Sequence, residues 1–84
     1  MAWSGWLRRS LAWAYFKKGD AKRAWTEIQR ATAKPVEDPA IWEHLGDIAK
    51  AVGEKAAAVQ GFTKALSLNP ENAAAIKNKL EGLQ

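Results

Sequence analysis

The sequence contains no cysteine and a single histidine, His44. The absence of cysteine excludes disulfides and thiolate metal sites, and one histidine is too few for a paired-histidine metal site. No apolar run approaches the ~18–20 residues of a membrane-spanning helix. Arg8 and Arg9 lie inside the apolar N-terminal segment rather than before it, which does not fit a signal peptide. We therefore expect a soluble domain without a signal peptide, and the sequence leaves its compartment open.

Motifs for catalysis and for nucleotide binding are also missing. The six glycines are scattered at predicted helix ends and turns, with Gly61 inside a helix, and they form no phosphate-binding loop. His44 has Glu43 beside it and Asp47 one helical turn later, but no suitably placed serine accompanies this set as a nucleophile. We predict that the protein is not an enzyme, uses no cofactor and binds no metal.

Strand signals are weak, because valine and isoleucine are few, alanine is abundant and the apolar residues recur with a helical period. Turn signals divide the chain into five segments of helix length. The predicted helices cover about residues 5–18, 21–33, 39–52, 55–68 and 72–83. Ser4 and Asp38 are expected to be N-caps, and Gly19 and Gly53 are expected to end the first and third helices.

A shift of 34 residues aligns the sequence with itself. Large residues align with large ones and small residues with small ones: Leu11 with Leu45, Ala12 with Gly46, Gly19 with Gly53, Ala24 with Ala58, Ile28 with Phe62, and Ala31 with Ala65. Small residues at such positions let two helices approach closely, and large ones fill the space between them. A helix–turn–helix period of this length is the signature of the tetratricopeptide repeat.

The second unit resembles that family in its motifs. The residues that carry the resemblance are Trp42-x-x-Leu45-Gly46, Ala58-x-x-x-Phe62, Ala65 and Pro70. The family's usual tyrosine is replaced by Ala49 in this unit, whereas the first unit has Tyr15 at the aligned position. The first unit has Arg8 in place of the opening tryptophan, and its closing Pro35 comes one residue early.

The resemblance implies an all-α fold, an α-solenoid of two antiparallel helix–turn–helix units plus a C-terminal capping helix, with five helices in all. We expect one domain over residues 1–84, with repeat one at about 5–38, repeat two at about 39–72 and the capping helix at about 73–84. Lys77, Lys79 and Glu81 are expected on the outer side of the cap, and Trp25 between the two units. The chain resembles the C-terminal two repeats and capping helix of a bacterial multi-repeat protein.

Aromatic residues are concentrated at the start of the chain. Five of the eight lie within residues 1–16, namely Trp3, Trp6, Trp13, Tyr15 and Phe16. On a helical wheel one side of the first helix holds Leu7, Leu11 and Ala14, with Tyr15 at its edge. A different side holds Trp6, Arg9, Trp13 and Lys17, with Phe16 near its edge. The first side matches the core side of the third helix, so we look for function on the second.

The resemblance also implies that the first helix of each unit lines a concave groove that binds a peptide. The residues it places there are Trp6, Arg9, Trp13, Phe16, Lys17, Glu43, Asp47, Lys50 and Lys77. Such a surface suits a peptide that offers an apolar anchor and a carboxylate, for which arginine is the best-shaped partner. We therefore predict a protein–protein interaction module or scaffold.

Two other functions stay open on the sequence alone. The chain could be a truncated or engineered minimal repeat unit with no ligand of its own, which forms a homodimer through an apolar cut surface on its first helix. Alternatively it could be a basic nucleic-acid binder, since residues 1–34 carry eight Lys/Arg and two Asp/Glu against five and seven in residues 35–84. No recognised nucleic-acid motif accompanies these charges. A membrane surface is disfavoured as a partner, because the repeat assigns the first helix a core side.

Overall fold

The computed structural model describes residues 5–83, with side chains from Arg9 onward. It contains five α-helices within this range: α1 (Gly5–Lys17), α2 (Ala21–Ala31), α3 (Pro39–Ala51), α4 (Lys55–Ser67) and α5 (Ala73–Glu81). No strand occurs among the described residues. The predicted all-α, five-helix architecture is therefore confirmed, and each helix ends one or two residues before its predicted end. The expected cap at Ser4 lies outside the described residues.

The turn after α1 has a geometry that glycine makes possible. Gly19 has a φ of +88°, in the left-handed region that residues with a Cβ avoid. Its N–H donates to the carbonyl of Phe16 at 3.0 Å, and the N–H of Asp20 donates to the carbonyl of Tyr15 at 2.9 Å. These two bonds form a Schellman motif. The same pair of bonds recurs 34 residues later around Gly53, whose φ is +85°, so both predicted glycine stops are confirmed.

Aspartates precede α2 and α3 as N-caps. Oδ1 of Asp38 accepts the N–H of Ala40 at 3.0 Å, and Pro39 occupies the first turn of α3. Asp20 caps α2 by accepting the N–H of Arg23 at 3.2 Å. Each carboxylate satisfies a backbone donor that has no partner within the helix. The expected N-cap at Asp38 is confirmed.

The helices pack in sequence order, α1 on α2, α2 on α3, α3 on α4 and α4 on α5. Two glycines let α3 and α4 pack closely against each other. A Cβ placed on Gly46 would lie 2.6 Å from the Phe62 ring, and one on Gly61 would lie 2.8 Å from the Leu45 side chain. Both glycines are therefore required for α3 and α4 to come this close.

The core consists of two adjoining clusters of buried residues. The first contains Ala12, Ala24, Ile28, Ala31, Ile41, Leu45 and Ile48, and the second contains Ala49, Ala58, Phe62, Ala65, Ile76 and Leu83. Trp25 and Trp42 pack against both clusters. The expected position of Trp25 between the units is therefore confirmed.

The core side of α1 differs from the side that the helical wheel suggested. Ala12 is fully buried, whereas Ala14 is exposed. Leu11 and Tyr15 are half-buried, and Phe16 packs against the core cluster as Tyr15 does. The reason is that α1 packs on α2 through the small Ala12, so the buried stripe is centred there.

Among the described residues, each helix is too short or too polar to cross a membrane.

Candidate functional site

Trp13 of α1 lies flat against His44 of α3. Their ring centroids are 4.0 Å apart and the planes differ by 11°. The Phe16 ring is 5.1 Å from the Trp13 ring at an interplanar angle of 32°, and Nζ of Lys17 lies 5.1 Å from the Trp13 ring centroid. These distances fit aromatic stacking and a cation–π contact. We call Trp13, Phe16, Lys17 and His44 the aromatic cluster.

His44 is held in the neutral form by its surroundings. Its Nδ1 is buried and has no hydrogen-bond partner among the described residues. Burial lowers the pKa of His44 below its ordinary value of 6.5, and the charge of Arg9 lowers it further. The carboxylates of Asp47 and Glu43 act in the opposite direction without cancelling this effect. At neutral pH the ring stacked on Trp13 is therefore uncharged.

Arg9, predicted to meet a ligand carboxylate, already has a carboxylate partner within the chain. Its Nη1 donates to Oδ2 of Asp38 at 2.5 Å, and the two side chains remain 28% and 43% exposed. The other oxygen of Asp38 caps α3. Arg9 thus ties α1 to the start of α3, and a ligand at this position would have to compete with Asp38.

The two carboxylates of α3 are linked to α5. Nζ of Lys79 donates to Oε2 of Glu43 at 2.9 Å and to Oδ2 of Asp47 at 3.1 Å, and Nδ2 of Asn72 donates to Oε1 of Glu43 at 2.9 Å. Burial alone would raise the pKa of Glu43, but the hydrogen bonds from Asn72 and Lys79 outweigh it and lower this pKa below 4.5. Burial alone would lower the pKa of Lys79, but its hydrogen bonds to Glu43 and Asp47 outweigh this effect and raise the pKa. Glu43 and Lys79 are therefore both charged at neutral pH.

These links place α1, α3 and α5 side by side on one surface. We call it the odd-helix face and define it by Arg9, the aromatic cluster, Glu43, Asp47, Lys50 and Lys79. Lys50 is exposed, one turn after Asp47 on α3, and has no partner among the described residues. Lys77 is exposed on α5 and makes no described contact. The side chain of Trp6 lies outside the described part of the chain.

Lys79 and His44 were not assigned to this face from the sequence, nor were Asp38 and Asn72, which bond to its Arg9 and Glu43. The prediction that Lys79 lies on the outer side of the cap is wrong, because its ammonium group reaches α3. A signal for this exists in the sequence. The 34-residue shift aligns Lys79 with Leu45, a buried position, so a lysine there must extend to a carboxylate at the edge.

The described residues contain no group of three or more His, Asp or Glu side chains arranged to hold a metal ion. The face presents aromatic rings, ammonium groups and paired carboxylates. The one histidine of the described face, His44, is buried at Nδ1 and stacked on Trp13.

Comparisons with known proteins agree with the helical repeat fold. Residues 39–72 match a family model described as tetratricopeptide repeat. Human Superkiller complex protein 3 is 39% identical over 67 residues, which cover 80% of this chain and 4% of the relative. The tetratricopeptide repeat-containing protein trd-1 of Caenorhabditis elegans is 31% identical over 64 residues, which cover 76% of this chain and 8% of the relative. The chain thus spans less than a tenth of either relative's length. No solved structure matches it significantly.

Proposed function

We propose, from the premise that this chain belongs to the tetratricopeptide repeat family, that it is a non-catalytic interaction module whose odd-helix face binds a peptide segment of a protein partner. Repeats of this family mediate protein–protein interactions, and a helical array presents one extended concave surface for that purpose. Part of the proposal is the division into repeats at about 5–38 and 39–72 with a cap at about 73–84.

The aromatic cluster is the observation that carries this proposal. Trp13 and Phe16 are only half-buried, so that part of each ring is accessible to a ligand. Half-buried aromatic residues held in place by neighbours are typical anchors of protein interfaces. Since Trp13 is fixed by the stack on His44, it is ordered before a ligand arrives, and less conformational entropy is lost on binding.

A selection from a random peptide library displayed on phage tests the proposal. We expect Trp13→Ala to weaken the selected peptides by about tenfold or more, because the anchor is removed. Trp13→Phe is the matched control, since phenylalanine keeps an aromatic ring against His44. Thermal unfolding of both variants measures stability separately from binding.

Two results would contradict peptide binding at this face. One is a set of selected peptides that bind the Trp13→Ala variant as tightly as the unaltered chain. The other is a large loss of stability in Trp13→Ala with no change in binding, which would make Trp13 a core residue. Sedimentation at several protein concentrations should accompany the selection, because a dimer that shields the tryptophans would instead support self-association.

A further inference from the structure

We infer that the peptide segment bound by the odd-helix face is acidic and carries an aromatic or aliphatic anchor next to its acidic residues. This inference rests on the proposed function and specifies the chemistry of the partner. It follows from which charges of the face are already neutralised and from the place of the remaining ones beside the aromatic cluster.

Three charged side chains of the face, Arg9, Glu43 and Asp47, form ion pairs within the chain. α1 contains no carboxylate, and both carboxylates of α3, Glu43 and Asp47, are paired with Lys79. Arg9 is paired with Asp38. The charges of Arg9 and Asp38 cancel, whereas Glu43 and Asp47 share the single ammonium group of Lys79 and keep one negative charge between them.

Two lysines of this face have no carboxylate partner among the described residues. Lys17 is the last residue of α1 and lies over the Trp13 ring, and Lys50 lies in the last turn of α3. Set against the one negative charge that Glu43 and Asp47 keep, these two ammonium groups leave the described side chains of the face with a net positive charge, and that charge is carried by Lys17 and Lys50. Asp or Glu side chains of a peptide are the groups that complement them.

The two lysines lie at the same end of the face. Arg9 of α1 bonds to Asp38 at the start of α3. Trp13, one turn further along α1, stacks on His44, which also lies further along α3. α1 and α3 therefore run parallel, and their C-terminal ends are neighbours. One ligand segment can contact both ammonium groups there while an apolar side chain packs on the half-buried aromatic rings, which removes apolar surface from water.

A single-stranded nucleic acid would also offer stacking rings and negative charge, but the face is less suited to it. Such ligands need cations along a groove that tracks the phosphate backbone. Here the unpaired cations among the described side chains of α1 and α3 lie at one end, and Glu43 and Asp47 lie next to them on α3. A short acidic segment matches a charge distribution of this kind better than a continuous polyanion does.

The test uses the intact chain and the same random phage-displayed peptide library. We expect selected peptides to be enriched, relative to the input library, in Asp or Glu next to an aromatic or aliphatic residue. Affinity for these peptides should fall about tenfold or more in the double variant Lys17→Glu with Lys50→Glu. The matched control is Lys22→Glu with Lys64→Glu, which changes the net charge equally at exposed positions on α2 and α4. Unaltered thermal unfolding of both variants shows that the folds are intact.

Three outcomes overturn the inference. In the first, selected peptides depend on Trp13 but are not enriched in acidic residues, or they bind the double variant as tightly as the unaltered chain. Peptide binding at this face would then be supported, and only the acidic character of the partner would be contradicted. In the second, no selected peptide depends on Trp13, which would contradict both the proposed function and the acidic character of the partner. In the third, oligo-dT binds as tightly as the best peptide and competes with it, which makes the face a nucleic-acid site.

Discussion

At the scale of the residue, the two repeats use different pairs of side chains for the same helix crossing. The second unit combines Gly46 with the large Phe62, whereas the first has Ala12 with the smaller Ile28 at the aligned positions. All four residues are buried. The missing Cβ at Gly46 makes room for the Phe62 ring, which would otherwise be 2.6 Å away. The size of one partner therefore determines what the other position tolerates.

This pairing predicts the effect of Gly46→Ala. We expect a loss of about 1–3 kcal/mol in the free energy of unfolding, because the added methyl group overpacks the α3–α4 contact. The double variant Gly46→Ala with Phe62→Ile reproduces the pair of the first unit and should be more stable than the sum of the two single changes implies. Urea unfolding of the four proteins in a double-mutant cycle measures this coupling. Strictly additive changes would show that the two positions are independent.

At the scale of the element, one hydrogen bond between helices occurs in both repeats, with the donor and the acceptor exchanged. Arg9 donates to Asp38, and 34 residues later Asn72 donates to Glu43, so that each bond joins residues 29 apart in the sequence. In both cases a residue of one odd-numbered helix is bonded to the residue that begins the next. The bond therefore sets how successive odd-numbered helices lie beside each other.

The repeated bond predicts that its two versions are interchangeable. Arg9→Glu alone should lower the free energy of unfolding by about 1 kcal/mol, because it removes a partly exposed ion pair and places a second carboxylate beside Asp38. Adding Asp38→Asn should recover most of this loss, since Asn is an equally good N-cap and can donate to the new Glu as Asn72 does to Glu43. Thermal unfolding of the single and double variants checks this. Asp38→Asn alone is the control, and an unrescued double variant would contradict the interchangeability.

The sequence predicted the parts of these elements that local chemistry decides. Asp38 as an N-cap and Gly19 as a helix stop depend only on the backbone groups near them, and both were confirmed. The stack of Trp13 on His44 joins residues 31 apart and depends on how α1 sits against α3, which no local pattern encodes. The position of Lys79 could be predicted in part. Its alignment with a buried position indicates that the side chain extends to a carboxylate, but it does not identify Glu43 and Asp47 as the partners.

At the scale of the whole molecule, the chain is a row of helices in which each packs mainly on its neighbours. α5 packs on α4 and is joined to α3 through Lys79 and Asn72. In such an array, stability is approximately a sum of intrinsic and nearest-neighbour contributions. A change at one end should therefore loosen that end before it affects the other.

Lys79→Met tests this property, since it keeps most of the side-chain length and removes the charge. We expect faster amide hydrogen exchange in α5 because Glu43 and Asp47, which are 15% and 17% exposed, lose their cationic partner. Exchange in α1 and α2 should remain unchanged under conditions that report local opening. Lys77→Met is the matched control, because Lys77 is exposed on the same helix and makes no described contact. An equal increase in all five helices would show that the molecule opens only as one cooperative unit, and that the α3–α5 link stabilises the whole chain rather than its C-terminal end.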